Sequence, residues 1–225
     1  MLQQTQASTV VPYFNRFLTR FPSVRRLAKA SEDEVLEYWT GLGYYRRARY
    51  LHMAAIQIVG KHAGQVPDSV DALTSLPGIG RSTAGAIVAI AFRQTAPILD
   101  GNVRRVLSRF YTIDGKRGAA NTEKRLWAHA EANTPIKQVD VYTQAIMDLG
   151  ATVCVRSKPK CPDCPLASEC NAHRQGKEHD YPSFAKRRSA RVQHARFFVV
   201  INGKGECLLQ KRPPRGVWAS LWSPP

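Results

Sequence analysis

Four cysteines stand in one short stretch, "CVRSKPKCPDCPLASEC", as Cys154, Cys161, Cys164 and Cys170 with the spacing C-x₆-C-x₂-C-x₅-C. No other feature restricts the folding of this chain so tightly. Sulfurs this close in sequence can meet around one metal centre, which bends the backbone between them into a compact loop. The remaining cysteine, Cys207, stands alone, whereas a disulfide scaffold spreads its cysteines through a small chain. Clustering without an export signal points to metal in a reducing compartment, and so to the cytoplasm. Spacing by itself admits a tetrahedral zinc site and a [4Fe–4S] cluster alike.

Ahead of that loop, residues 1–153 read as one helix after another. "SEDEVLEYWTGLG" carries a capping box of Ser31 with Glu34 and ends at Gly41 or Gly43. "YYRRARYLHMAAIQIVGKH" continues as a helix with Leu51, Ala55 and Ile58 on one face. Further helices are predicted in "PDSVDALTSL", "RSTAGAIVAIAF", "NTEKRLWAHAEA" and "DVYTQAIMDLGA". Strand-type alternation is essentially absent before residue 196. The opening, "MLQQTQASTVVPYF", places Leu2, Val10, Val11 and Phe14 at near-helical spacing with no capping residue in front. It reads as a helix already under way.

Beyond the cysteines, residues 154–172 form the expected metal loop and residues 173–195 a polar, basic linker. Residues 196–225 hold two apolar runs around Asn202-Gly203, a hairpin signal. Some thirty residues cannot bury a core alone. Both ends of the chain therefore read as cut.

Charge narrows the partner class. Thirty-three Lys and Arg face 17 Asp and Glu, a formal net charge of +16. Such an excess suits a polyanion, whose counterions are released on binding, and nucleic acid leads. No apolar run approaches the roughly 18 residues of a membrane span, and no Lys-rich amphipathic helix suits a membrane surface.

Two further segments carry chemistry. In "LTSLPGIGRSTAGAIVAI", Gly78 and Gly80 allow a tight turn that a phosphate can approach, and the helix opening at Arg81 offers free amides to it. In "PILDGNVRRVLSRF", Asp100 precedes Gly101 and Asn102, then a helix with Arg104, Arg105 and Arg109. An aspartate there is an N-cap first of all. Behind a hairpin that grips a DNA backbone, it also matches the layout of an N-glycosylase.

The hairpin, "LDGNVRRVL" and the cysteine spacing together resemble the helix-hairpin-helix glycosylase superfamily that includes endonuclease III. "MLQQTQ", "WTGLGYYRRAR" and "MDLGATVC" narrow the resemblance to adenine DNA glycosylases of the MutY type. It implies an all-α helix-hairpin-helix fold with the hairpin near residues 76–92, a [4Fe–4S] cluster on the four cysteines, and the first strands of an incomplete Nudix-like domain after the linker. It also implies a monomer that flips adenine, mispaired with 8-oxoguanine or guanine, out of double-stranded DNA and hydrolyses its glycosidic bond. Asp100 would serve the sugar, Asn102 and Ser82 orient that region and Gln144 face the adenine. Gln4 would enter the vacated stack and Tyr44 wedge beside the opposite base, while Arg46, Gly78, Gly80 and Arg81 hold DNA. Relatives that also nick the backbone carry a lysine where this chain has Ser82, and a hydroxyl cannot form their imine. The resemblance puts the general acid two residues before the position of Met1, so poor activity or none is expected of these 225 residues. The rival readings are a glycosylase-lyase of the endonuclease III type and a non-catalytic DNA-binding iron–sulfur fragment.

Overall fold

The computed structural model describes residues 1–2, 5, 7–115, 119–183, 192 and 194–225. The chain packs as two units, Met1–Gly64 with Arg187–Pro225, and Gln65–Lys186. The boundary after Gly64 falls within the stretch read above as one helical domain. Among the described residues, no helix is long and apolar enough to cross a membrane.

The first unit holds α1 (Ala7–Arg20), α2 (Val24–Lys29), α3 (Glu32–Trp39) and α4 (Tyr45–Lys61). Val10, Phe17, Phe21, Leu27, Val35, Leu36 and Trp39 form its core. The opening helix departs from the sequence reading. It begins at Ala7, Leu2 lies outside it, and Val11 and Phe14 are exposed. The buried positions are Val10 and Phe17, one heptad apart, with Phe21 just after the helix completing the apolar face. The short α2 has no counterpart in the sequence reading, although Ser23 caps it by accepting the Arg26 amide at 3.2 Å.

Ser31 does cap α3, accepting the Glu34 amide at 3.2 Å, but the Glu34 carboxylate pairs with Arg20. Only half of the expected capping box is formed. Along α4 the buried stripe is Ala48, His52, Ala55 and Ile58, and Leu51 points outward. His52 Nε2 lies 3.0 Å from the Ala30 carbonyl, where α2 packs on α4.

In the same unit, Ile201 and Cys207 form an antiparallel bridge, and β1 (Gln210–Lys211) pairs with β2 (Trp222–Ser223). The hairpin is where "NG" placed it, but its turn is wider. Asn202 Oδ1 accepts the amides of Lys204 and Glu206 at 2.9 and 3.0 Å, so the left-handed position falls on Gly205 (φ +81°).

The second unit contains α5 (Val70–Thr74), α6 (Arg81–Phe92), α7 (Gly101–Phe110), α8 (Ala120–Asn133), α9 (Val139–Asp148) and α10 (Asn171–Arg174). Its core is Ile98, Leu99, Val103, Val106, Leu107, Ile113, Leu126, Ala130 and Ile146. A π-helical turn, Leu149–Val153, follows α9 and leads into the cysteine loop.

Candidate active site and metal centre

Between α5 and α6 the chain turns through Leu76–Gly80. Leu76 is buried as an anchor, Ile79 is half-buried, and both glycines are exposed. Gly78 has φ +77°, a conformation that strains any residue with a Cβ. Gly80 differs. Its φ is −92° and a Cβ there would meet nothing within 4 Å, so the fold itself does not demand glycine. It stands as N-cap of α6 with no side-chain cap, leaving the first amides of that helix without an acceptor from the cap residue.

One helical position on, the Ser82 hydroxyl accepts the Leu99 amide at 3.0 Å. It thereby ties α6 to the residue before Asp100. Asp100 caps α7 through a single oxygen: Oδ1 accepts the amides of Asn102 and Val103 at 3.0 and 2.8 Å. Its other oxygen makes no hydrogen bond among the described residues, and the side chain is half-buried. The aspartate is thus both a cap and a carboxylate with one oxygen to spare.

The arginines of α7 do not form a basic face. Arg104 makes a two-point ion pair with Glu123, at 2.7 Å to each oxygen. Arg105 donates to Asn102 Oδ1 at 3.0 Å, to the Cys154 carbonyl at 2.6 Å and to the Gly150 carbonyl. Burial lowers its pKa, against the attraction of Cys154 and Asp100. Arg109 is only 3% exposed. It donates to the carbonyls of Val155 (2.8 Å), Arg156 (3.1 Å), Glu178 (2.8 Å) and Tyr181 (3.0 Å), and reaches Cys154 Sγ at 3.3 Å. One guanidinium therefore closes both arms of the cysteine loop. Gly150 lets that loop's entry sit on α7, since a Cβ there would lie 2.6 Å from Asn102 Cβ.

All four cysteines line one cavity, with Arg109, His173 and Glu178 beside them. Glu178 accepts from His173 Nδ1 at 2.6 Å, and that bond holds its carboxyl below the usual range. Burial pushes the Cys161 thiol up to about 11, and the neighbouring Glu178 adds to the rise. Burial also raises Cys170, although the amides of Ala172 and His173 oppose it. Ligand atoms of Cys161, His173 and Glu178 lie within 4.8 Å of one another, so the cavity is a candidate metal centre. Four sulfur donors around one hollow, with a cationic donor at one sulfur, suit a group held by thiolates.

The other expected site residues are placed as follows. Gln144 is exposed on α9 and donates to Asp148 Oδ1 at 2.9 Å. Arg81 pairs with Glu131 at 2.5 Å. In the first unit, Tyr44 is exposed with φ 52° at the start of α4, and Arg46 donates to the Tyr50 hydroxyl at 2.8 Å. Gln4 lies outside the described residues. Arg105, Arg109, His173 and Glu178 were not singled out as site residues from the sequence.

A family model described as HhH-GPD superfamily base excision DNA repair protein matches residues 1–148. The adenine DNA glycosylase of Buchnera aphidicola subsp. Acyrthosiphon pisum (strain APS) is 40% identical over 222 residues, covering 99% of this chain and 63% of that protein. The adenine DNA glycosylase of Rattus norvegicus is 43% identical over 176 residues, covering 78% of this chain and 34% of its own. The chain thus spans less than two thirds of the length of these curated relatives. Among solved structures, a thermostable thymine-DNA glycosylase matches with TM-score 0.68 at 26% identity, over 77% of this chain and 80% of that one. On a family match over most of its length, this chain belongs to the HhH-GPD superfamily of base excision DNA repair proteins.

Proposed function

We propose that the chain acts on double-stranded DNA as a monofunctional glycosylase, hydrolysing the N-glycosidic bond of adenine mispaired with 8-oxoguanine or guanine. The observation that carries the reading is Asp100, whose Oδ1 is fixed by two helix amides while the other oxygen is left for substrate. Cleavage builds positive charge on the deoxyribose, and a carboxylate beside it stabilises that charge or bonds to the sugar transiently. A substrate-facing oxygen whose partner atom is already anchored needs no reorganisation as the charge develops. Asn102, held by Arg105, orients the same corner.

Flipping the nucleotide costs a few kcal/mol and is offset by pocket contacts and by filling the gap. Gln144 contacts the base, Gln4 and Tyr44 occupy the disturbed stack, and Arg46, Gly78, Gly80 and Arg81 hold the backbone. Ser82, already engaged with Leu99, has no amine for imine chemistry, which favours hydrolysis over a lyase. Cys154, Cys161, Cys164 and Cys170 would hold a [4Fe–4S] cluster, which when bound cross-links the loop and supplies a redox-active group. The protein works as a monomer in the cytoplasm, and residues 196–225 open a Nudix-like domain.

Single-turnover release of adenine from a duplex with adenine opposite 8-oxoguanine tests this reading. Release that Asp100→Asn abolishes is expected. Release that survives the substitution overturns it, and binding of that duplex without release favours the non-catalytic DNA-binding fragment. Excision of thymine glycol with strand nicking would establish the endonuclease III type instead.

A further inference from the structure

The first residue of the hairpin's second helix is held by a bracket on α8. Arg81 Nη2 lies 2.5 Å from Glu131 Oε1, and its guanidinium sits 3.8 Å from the centre of the Trp127 ring. Trp127 and Glu131 are four residues apart, one above the other on the same face of α8. The tryptophan is half-buried and packs against the core of its unit, so it is a fixed platform. The ion pair is not fixed in that way. Its side chains are 51% and 52% exposed, and exposed pairs open readily.

Glu131 is also poorly placed for its own helix. It lies in the last turn of α8, where the helix dipole disfavours a carboxylate, and no basic residue stands in that turn. In a chain with 17 acidic residues against 33 basic ones, this carboxylate neutralises the arginine that opens the hairpin helix. Both facts point away from helix stability as its purpose.

We infer that Glu131 is a selectivity residue, a counter-charge that occupies Arg81 in the free protein and is exchanged for a DNA phosphate on binding while Trp127 keeps the guanidinium in place. The exchange balances charge: one carboxylate leaves the guanidinium and one phosphate oxygen replaces it. Its consequence is weaker, less salt-sensitive binding to DNA in general, because each arginine met by phosphate contributes about 0.9 to the salt slope and a pre-paired one contributes less. The inference rests on the hairpin's proposed DNA contact.

The test is a double-mutant cycle on the 225-residue chain, with fluorescence anisotropy on an undamaged duplex between 50 and 200 mM salt. Glu131→Gln is expected to tighten binding about 3- to 10-fold at 50 mM salt and to steepen the salt slope by up to about 0.9. In an Arg81→Gln background the same change should give less than about a twofold gain, since removing a carboxylate from the surface without freeing Arg81 does little. Unchanged or weaker binding by Glu131→Gln overturns the inference and makes Glu131 an inert or orienting partner. An equal gain in the Arg81→Gln background also overturns it, by showing a bulk charge effect. Gly80→Val reports separately on the hairpin. If it weakens binding while the cycle fails, the exchange is wrong and the hairpin contact stands. If it leaves binding unchanged, the hairpin contact fails and the exchange with it.

Discussion

The hydroxyl of Ser82 accepts the backbone N–H of Leu99 at 3.0 Å, so the first turn of α6 holds the residue that immediately precedes Asp100. A side chain on the hairpin helix thus helps set where the carboxylate sits. Ser82→Ala leaves the Leu99 amide without this acceptor, beside a fully packed residue. We expect a loss of about 1–2 kcal/mol in stability, read by urea unfolding, together with slower base release.

Asp100 has two duties that substitution can separate. Asparagine retains a cap oxygen, whereas alanine removes it and costs about 1 kcal/mol of stability. Base release should be lost in both variants, while the unfolding midpoint falls only in Asp100→Ala. Equal midpoints for the two would show that the cap contributes nothing.

Arg109 is the strongest structural prediction. Arg109→Met nearly conserves volume but leaves the carbonyls of Val155, Arg156, Glu178 and Tyr181 without this donor. An unsatisfied buried acceptor costs about 1–3 kcal/mol, and water relieves part of that here, since Arg156 is exposed and Val155, Glu178 and Tyr181 are half-buried. A net destabilisation of about 3 kcal/mol or more is expected, with faster loss of bound metal measured by competition with a chelator.

Metal loading should be proton-linked. On the proposed assignment the ligands are thiolates, and the free Cys161 thiol, pushed up to about 11, is protonated at neutral pH. Loading must therefore expel its proton at any pH below that value, so affinity rises with pH. Co²⁺ titrations followed by thiolate charge-transfer absorption should show at least about a tenfold gain in affinity per pH unit between pH 6 and 8. A flat profile would refute the assignment of Cys161 as a ligand.

The two hairpin glycines should behave differently. Gly78→Ala places a Cβ at φ +77° and should cost about 1–2 kcal/mol of stability. Gly80→Ala meets open space at φ −92° and should change stability by about 0.5 kcal/mol at most. A Gly80→Ala variant that unfolds as easily as Gly78→Ala would show that glycine serves the fold at both positions.

What could be read from the sequence was chemistry written in residue types. The cysteine spacing, the paired glycines and an aspartate ahead of a helix each stand out locally, and the fold puts the cysteines around one cavity, the glycines at a turn and Asp100 at a helix N-terminus. Arg109 could not be read that way. Its acceptors are main-chain carbonyls 46 to 72 residues further on, and a carbonyl has no signature in a sequence. The opening helix misled for a related reason. Val11 and Phe14 fit a helical period as well as Val10 and Phe17 do, and only packing decides which stripe turns inward. At the hairpin the dipeptide marks the place but does not reveal the turn's width, which the Asn202 side chain sets by reaching past Gly205 to the Glu206 amide.

Gly150 has a consequence for how this protein can change. The wide turn it occupies rests directly on the first turn of α7, so close that a Cβ on Gly150 would run into Asn102. A longer side chain at such a contact could absorb a small mismatch by choosing another rotamer; a glycine cannot. The stretch that delivers the first cysteine and the stretch that presents the carboxylate therefore share one seam without slack. Adjusting either one in isolation would pry that seam apart, so the two must drift together or stay as they are.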